Sequence, residues 1–222
     1  MSSALETLKK DIMTSLDWDG RVEADLVDVD VRDDGTVKLS GKVTTASARE
    51  AAQEDAEIIS GVSKVQNDLA IEYPREFTCP TGKELQERIM SILAWNQDID
   101  ETRIEVNAEA GIVTLRGSVE AYWKKQKAQR LAQNVAGVRY VDNEIAVVPV
   151  SNVSDERMAS QITATLQRNL TVAAEKVSVK VENGVVTLSG KLPDRMSVRT
   201  AKEAAMYTPG VIEVQDFLNK TI

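Results

Sequence analysis

KLSGKV at 38–43, TLRGSV at 114–119 and TLSGKL at 187–192 are three versions of one strand, and their spacing decides the fold. Three glycine positions recur with them: Gly35, Gly41 and Gly61, then Gly111, Gly117 and Gly137, then Gly184, Gly190 and Gly210. Every position is offset by 76 and then by 73 residues. A fixed period with its turn residues in register marks a tandem repeat. Each copy closes on a related segment, ISGVSKVQNDLAI at 59–71, VAGVRYVDNEIAV at 135–147 and TPGVIEVQDFLNK at 208–220. Upstream, Ile12 and Leu16 match Ile89 and Leu93, then Ile162 and Leu166. The first of these offsets is 77, which places one extra residue in the Arg32 to Gly35 turn of copy one.

Local chemistry gives each copy the order αββαβ. A leading helix opens on a capping box, Ser3 with Glu6 and Thr81 with Glu84, or on a capping serine, Ser154. Strict alternation follows, with Val27, Val29 and Val31, or Ile104, Val106 and Ala108, or Val177, Val179 and Val181 on one side, and charged or polar residues on the other. Such alternation predicts a half-buried strand. A glycine turn leads into the second strand, and then comes a helix with alanines one turn apart, Ala52 and Ala56, Ala128 and Ala132, Ala201 and Ala205. Gly61, Gly137 and Gly210 each precede a valine, as a left-handed helix terminus with a following apolar contact requires. A right-handed crossover makes the third strand parallel to the second. The expected fold class is α+β, with three modules at 1–74, 81–150 and 154–222 and a linker at 75–80. Each module should be a three-stranded mixed sheet with both helices on one face. The other face, bearing Asp28 and Asp30, Glu105 and Asn107, Ser178 and Lys180, should be wet.

A leading helix, a V-x-L-x-G-x-V hairpin, an alanine-rich helix and a closing G-V-x-x-V-x-N/D resemble the BON domain family (bacterial OsmY and nodulation domains). The resemblance covers nearly the whole chain in three copies. It implies non-enzymatic modules tied to osmotic and envelope stress, to phospholipid or membrane-surface binding and, in some members, to potassium binding. It carries over no catalytic residue set and no cofactor.

At 42% hydrophobic and 28% charged residues the chain folds as an ordinary globular protein, and with 4% aromatics its core must be aliphatic. Histidine is absent, which excludes His-ligated metals and histidine bases or nucleophile pairs. Cys79 is the sole cysteine and reads as a linker residue. The opening MSSALETLKKDIMTSL is an amphipathic helix without a secretion core, so the chain as written is expected in the cytoplasm. The alternative is the periplasm, if a leader has been removed. The net charge of −8 resides in residues 1–79, which hold 17 acidic and 9 basic side chains. No broad basic stripe exists, so nucleic acid is not an expected partner. The acidic run DVDVRDDG at 28–35 lacks calcium-loop spacing, with Arg32 at a ligand place and Leu39 where a bidentate Glu belongs.

Differences between copies point to sites. Thr45 and Asp194 cap the second helix of copies one and three, whereas copy two has Ala121 followed by YWKKQKAQR at 122–130. Lysines in a first helical turn oppose the helix dipole by ~0.3–1 kcal/mol each, but they suit an anion held at that helix start. Tyr122, Trp123, Lys124, Lys125, Lys127 and Arg130 are therefore the candidate lipid or anion site. The competing reading packs Trp123 on a neighbouring copy and leaves the lysines in solvent. Trp18 and Trp95 fall at matching positions near the end of the leading helix and are read as core or inter-copy packing. The expected partner is a phospholipid headgroup or membrane surface. The alternatives are a small ligand or a monovalent cation such as K+, a protein partner, or a second copy in a homo-oligomer.

Overall fold

Alternation, turn glycines and alanine-lined helices assemble as the repeat demands. The computed structural model describes residues 3–73, 78–169 and 177–220. Copy one runs α1 (Ser3–Trp18), β1 (Val27–Val31), β2 (Thr36–Val43), α2 (Ala46–Ile58), β3 (Lys64–Asn67) and β4 (Ala70–Ile71). Copy two runs α3 (Gly82–Ala94), β5 (Ile104–Glu109), β6 (Ile112–Val119), α4 (Tyr122–Gln133), β7 (Tyr140–Asn143) and β8 (Ala146–Val147). Copy three runs α5 (Asp155–Asn169), β9 (Val177–Glu182), β10 (Val185–Leu192), α6 (Arg195–Met206) and β11 (Glu213–Lys220). A short 3-10 turn, Ala24–Leu26 or Glu101–Arg103, precedes the first strand of copies one and two.

Each sheet is mixed. β2 pairs antiparallel with β1 and parallel with β3 and β4, and β10 pairs antiparallel with β9 and parallel with β11. The order β5-β6-β7, with β8 beside β6, repeats this in copy two. Sheets one and two count four strands rather than three because the third strand is interrupted. The register is unbroken across the interruption, with Thr36 opposite Lys64 and Val43 opposite Ile71. Asn67 lies at the break. Its Oδ1 accepts from Leu69 N at 3.3 Å, and its Nδ2 donates to the Arg49 carbonyl of α2 at 2.8 Å. Asn143 makes the same pair of bonds, to Ile145 N at 3.3 Å and to the Lys125 carbonyl at 2.9 Å. In copy three the residue is Asp216, which cannot donate to a carbonyl, and β11 continues through it.

By contact density the chain divides into two compact units, 1–91 with 107–114 and 130–142, and 92–106 with 115–129 and 143–222. In the first, Ile12 and Leu16 of α1 meet Val27, Val29, Val37 and Leu39 of the sheet and Ala52 and Ala56 of α2. In the second, Ile162 and Leu166 of α5 meet Val186 and Leu188 and Ala201 and Ala205 of α6. The outer faces are wet and carry ion pairs, Lys42 with Glu72 at 2.6 Å and Arg116 with Glu144 at 2.7 Å. The expected caps form: Thr45 accepts from Ala48 N at 3.0 Å, Asp194 from Ser197 N at 2.7 Å, and Thr81 and Glu84 close their box. Ser154 caps α5 by accepting from Arg157 N at 3.4 Å, whereas the side chain of Ser3 lies outside the described residues.

The hairpin turn shows one local conflict. Ala110 and Asn183 occupy the same repeat position and both have positive φ, 50° and 51°. Asparagine tolerates this region; alanine strains there by ~1–2 kcal/mol. Ala110→Asn, which copies the residue of copy three, should raise the melting temperature by ~2–4 °C in thermal denaturation.

The helix tether offers a second check. Asn143 also reaches Gln129 Oε1 at 3.2 Å, and Asn67 reaches Gln53 at 3.4 Å. In copy three these positions hold Lys202 and Asp216, an ion pair at 3.3 Å. Asn143→Asp alone should destabilise by ~1–2 kcal/mol, because a carboxylate then faces the Lys125 carbonyl. Adding Gln129→Lys should recover at least ~0.5 kcal/mol in a double-mutant cycle read by urea unfolding.

Candidate functional site

Ala121 leaves α4 without a side-chain cap, and the residues that follow meet other partners. Tyr122 is half-buried against the apolar core of copy three and accepts from Gln126 Nε2 at 3.0 Å. Burial pushes its hydroxyl pKa up, partly offset by a backbone hydrogen bond with Val214. Trp123 lies 6.0 Å from the Tyr207 ring at 35°, a tilted aromatic contact. Lys124 stands 5.8 Å over the Trp123 ring and pairs with Glu120 at 3.0 Å. Lys127 pairs with Asp98, whose carboxyl it holds below the usual range. Among the described residues no carboxylate pairs with Lys125, which is half-buried, and Arg130 is exposed. The stretch thus splits. Its aromatics join copy three, its lysines line the helix start, and Arg130 lies in the last turn of α4.

The two other tryptophans lie where the repeat reading did not put them. Trp18 is 84% exposed and Trp95 85%, so neither is in the core or packed on another copy. Each sits on the same turn. Asp19 N donates to the Leu16 carbonyl at 3.3 Å and Val22 N to the Asp19 carbonyl at 2.9 Å; Asn96 N donates to Leu93 at 3.0 Å and Ile99 N to Asn96 at 3.0 Å. Leu16 and Val22, like Leu93 and Ile99, are buried on either side. Two indoles are therefore held out into solvent by anchored turns. The expectation of core or inter-copy packing fails here because the apolar pattern of the leading helix runs out at these positions.

The Trp18 turn also holds charge. Both Asp19 oxygens accept from Arg21, with Nε at 3.0 Å to each and Nη2 at 2.5 Å, and these bonds hold the Asp19 pKa down to about 2. Nearby on α2, Asp55 is pushed up to about 6, first by burial and then by the charge of Asp19. A further hollow of about 460 Å³ lies at the start of copy three, lined in part by Val153, Asp155, Met158 and Ile212. Both Asp155 oxygens are committed there, to Asn183 N at 2.6 Å and Gly184 N at 2.9 Å.

The fold defines a repeat of small α+β modules. The BON domain model matches residues 4–73, 81–149 and 154–219, and the chain belongs to the BON domain family. That family is associated with osmotic-stress proteins and phospholipid binding. A 21 kDa hemolysin of Actinobacillus pleuropneumoniae is 33% identical over 140 residues, which are 61% of this chain and 72% of that protein. Two structures of CdsD, a structural protein of the Type III secretion system of Chlamydia trachomatis, align at 17% and 16% identity with TM-scores of 0.25. They cover 97% and 100% of this chain, and 92% and 99% of their own.

Among the described residues no helix is long and apolar enough to cross a membrane. The aromatic contact carries a prediction. Trp123→Ala should lower the stability of copy three, seen as faster amide exchange in α6 and β11, while exchange in α2 and β2 is unchanged.

Proposed function

We propose that this chain is a non-enzymatic, stress-related protein that attaches to phospholipid surfaces through its BON modules. The exposure of Trp18 and Trp95 on equivalent, anchored turns carries the reading. Tryptophan concentrates at the membrane–water boundary, where its apolar ring and polar N–H both find partners. An indole held in water forgoes the stabilisation that burial would give it, and rigid turns reduce the entropy lost when they dock.

The lysine-bearing start of α4 supplies the headgroup contacts in this reading. Tyr122 and Trp123 are committed to copy three, so aromatic anchoring passes to Trp18 and Trp95. Lys125 and Arg130 meet headgroup phosphate, with Lys124 and Lys127 beside them. The acidic surplus of copy one opposes anionic lipid only within a Debye length of ~8 Å, which leaves apolar anchoring as the larger contribution there.

Co-sedimentation with vesicles of phosphatidylcholine and phosphatidylglycerol tests this. Trp18→Ala and Trp95→Ala should each weaken binding about tenfold, a loss of ~1.4 kcal/mol. Lys125→Glu with Arg130→Glu should weaken it at low salt and flatten its salt dependence. Undiminished binding by the double tryptophan variant would overturn the proposal.

A further inference from the structure

We propose that Asp19 and Asp55 form a proton-operated clasp in the first module, closed while the two carboxyls share one proton and loosened when it leaves, so that pH sets how firmly the Trp18 turn is held. The repeat itself singles out the position. Asp55 aligns with Leu131 and Ala204, and Ala204 packs against the apolar core of copy three. Copy one therefore carries a carboxyl at an apolar position of the helix. Asp19 acts on it, and at the Asp19 position copy two has the neutral Asn96 in the same turn.

The hydrogen bonding explains what that carboxyl needs. Asp55 Oδ2 is shut off from solvent and has no hydrogen-bond partner. The carboxyl that acts on it is Asp19, only 16% exposed, whose oxygens already take the Arg21 backbone N at 2.9 Å and its guanidinium. Two ionised carboxylates offer only acceptors to one another. A proton on Asp55 lets the two carboxyls make an O–H···O⁻ bond, among the stronger hydrogen bonds available to side chains.

The charges around Asp55 favour that proton. From α2 itself Glu54 adds negative charge, and from the turn after α1 come Asp19, also negative, and Arg21, positive. The shifts described above agree in direction. The folded protein binds the Asp55 proton more tightly than the unfolded chain, so this contribution to stability is full below the ordinary value of 3.8 and is lost as pH rises through about 6. Asp19 works oppositely, its contribution being lost only as pH falls through about 2. The clasp therefore opens between mildly acidic and neutral pH. Its bearing on lipid attachment rests on reading Trp18 as an interfacial anchor; the clasp itself does not.

The test starts without lipid, in full-length protein with Trp95→Phe and Trp123→Phe so that Trp18 alone fluoresces. Emission should change with a midpoint near pH 6. The same background with Asp55→Asn, an amide that donates to Asp19 at every pH, should show no such midpoint, and neither should Asp55→Leu, which copies copy two. Melting temperature should fall between pH 5 and pH 7.5 by roughly 4 °C more in the parent than in Asp55→Asn. Parallel melting curves, or a midpoint that survives Asp55→Asn, would remove the clasp whatever vesicles show. If the midpoint holds but binding to the same phospholipid vesicles is equal at pH 5 and pH 7.5, the link to lipid is removed and the clasp stands.

Discussion

The second helix of each module lies so close to its sheet that alanine fills two successive turns, and the rest of the module is arranged around that approach. Ala52 and Ala56, Ala128 and Ala132, and Ala201 and Ala205 are all fully buried. A larger side chain at any of them would force the layers apart, at a cost of ~1–3 kcal/mol. The same closeness lets Asn67 and Asn143 reach from the third strand to a carbonyl of the helix above. It also fixes the helix end, where a glycine at positive φ returns the chain to the sheet. The glycine of the second strand answers a similar constraint one layer down. A side chain at Gly41 or Gly117 would collide with the carbonyl of Leu26 or Arg103.

Because that skeleton is common to all three copies, chemistry specific to this protein lies in the departures from it. Copy two spends a helix start on residues that bind copy three, through Tyr122 in its core and Trp123 on Tyr207. Copies one and two present an indole on the same turn. Copy one alone places a carboxyl where its relatives place leucine or alanine. These departures act at different distances. Aromatic packing is a contact effect, lysine attraction reaches about a Debye length, and the carboxyl pair acts only while its proton is bound.

How much of this was legible in the sequence follows from the range of the forces involved. Strands, turns and caps are set by neighbours a few residues apart, so the alternation at Val27 to Val31, the glycine turns and the caps at Thr45, Thr81 and Asp194 were all readable. The single-residue insertion in copy one was readable too, and it is the four-residue turn between β1 and β2. Exposure is different. Trp18 ends α1 and Trp95 follows α3, helices whose buried faces end at Leu16 and Leu93, and periodicity says nothing past its last repeat. The split of the third strand depends on a bond from Asn67 to Arg49, 18 residues away, and Asp55 matters only because the turn at Asp19 folds back on it. The lysines of α4 were identified as a group, whereas their partners, Glu120 and Asp98, are set by the fold.

We propose that the outward tryptophans, and not the inward one, meet the lipid. This is tested most directly by three single-tryptophan proteins, each retaining Trp18, Trp95 or Trp123 with phenylalanine at the other two, bound to phospholipid vesicles carrying bromine on the acyl chains. Bromine quenches an indole only at close range. Trp18 and Trp95 should be strongly quenched and Trp123, shielded against Tyr207, little. Quenching of Trp123 with the other two unaffected would contradict it.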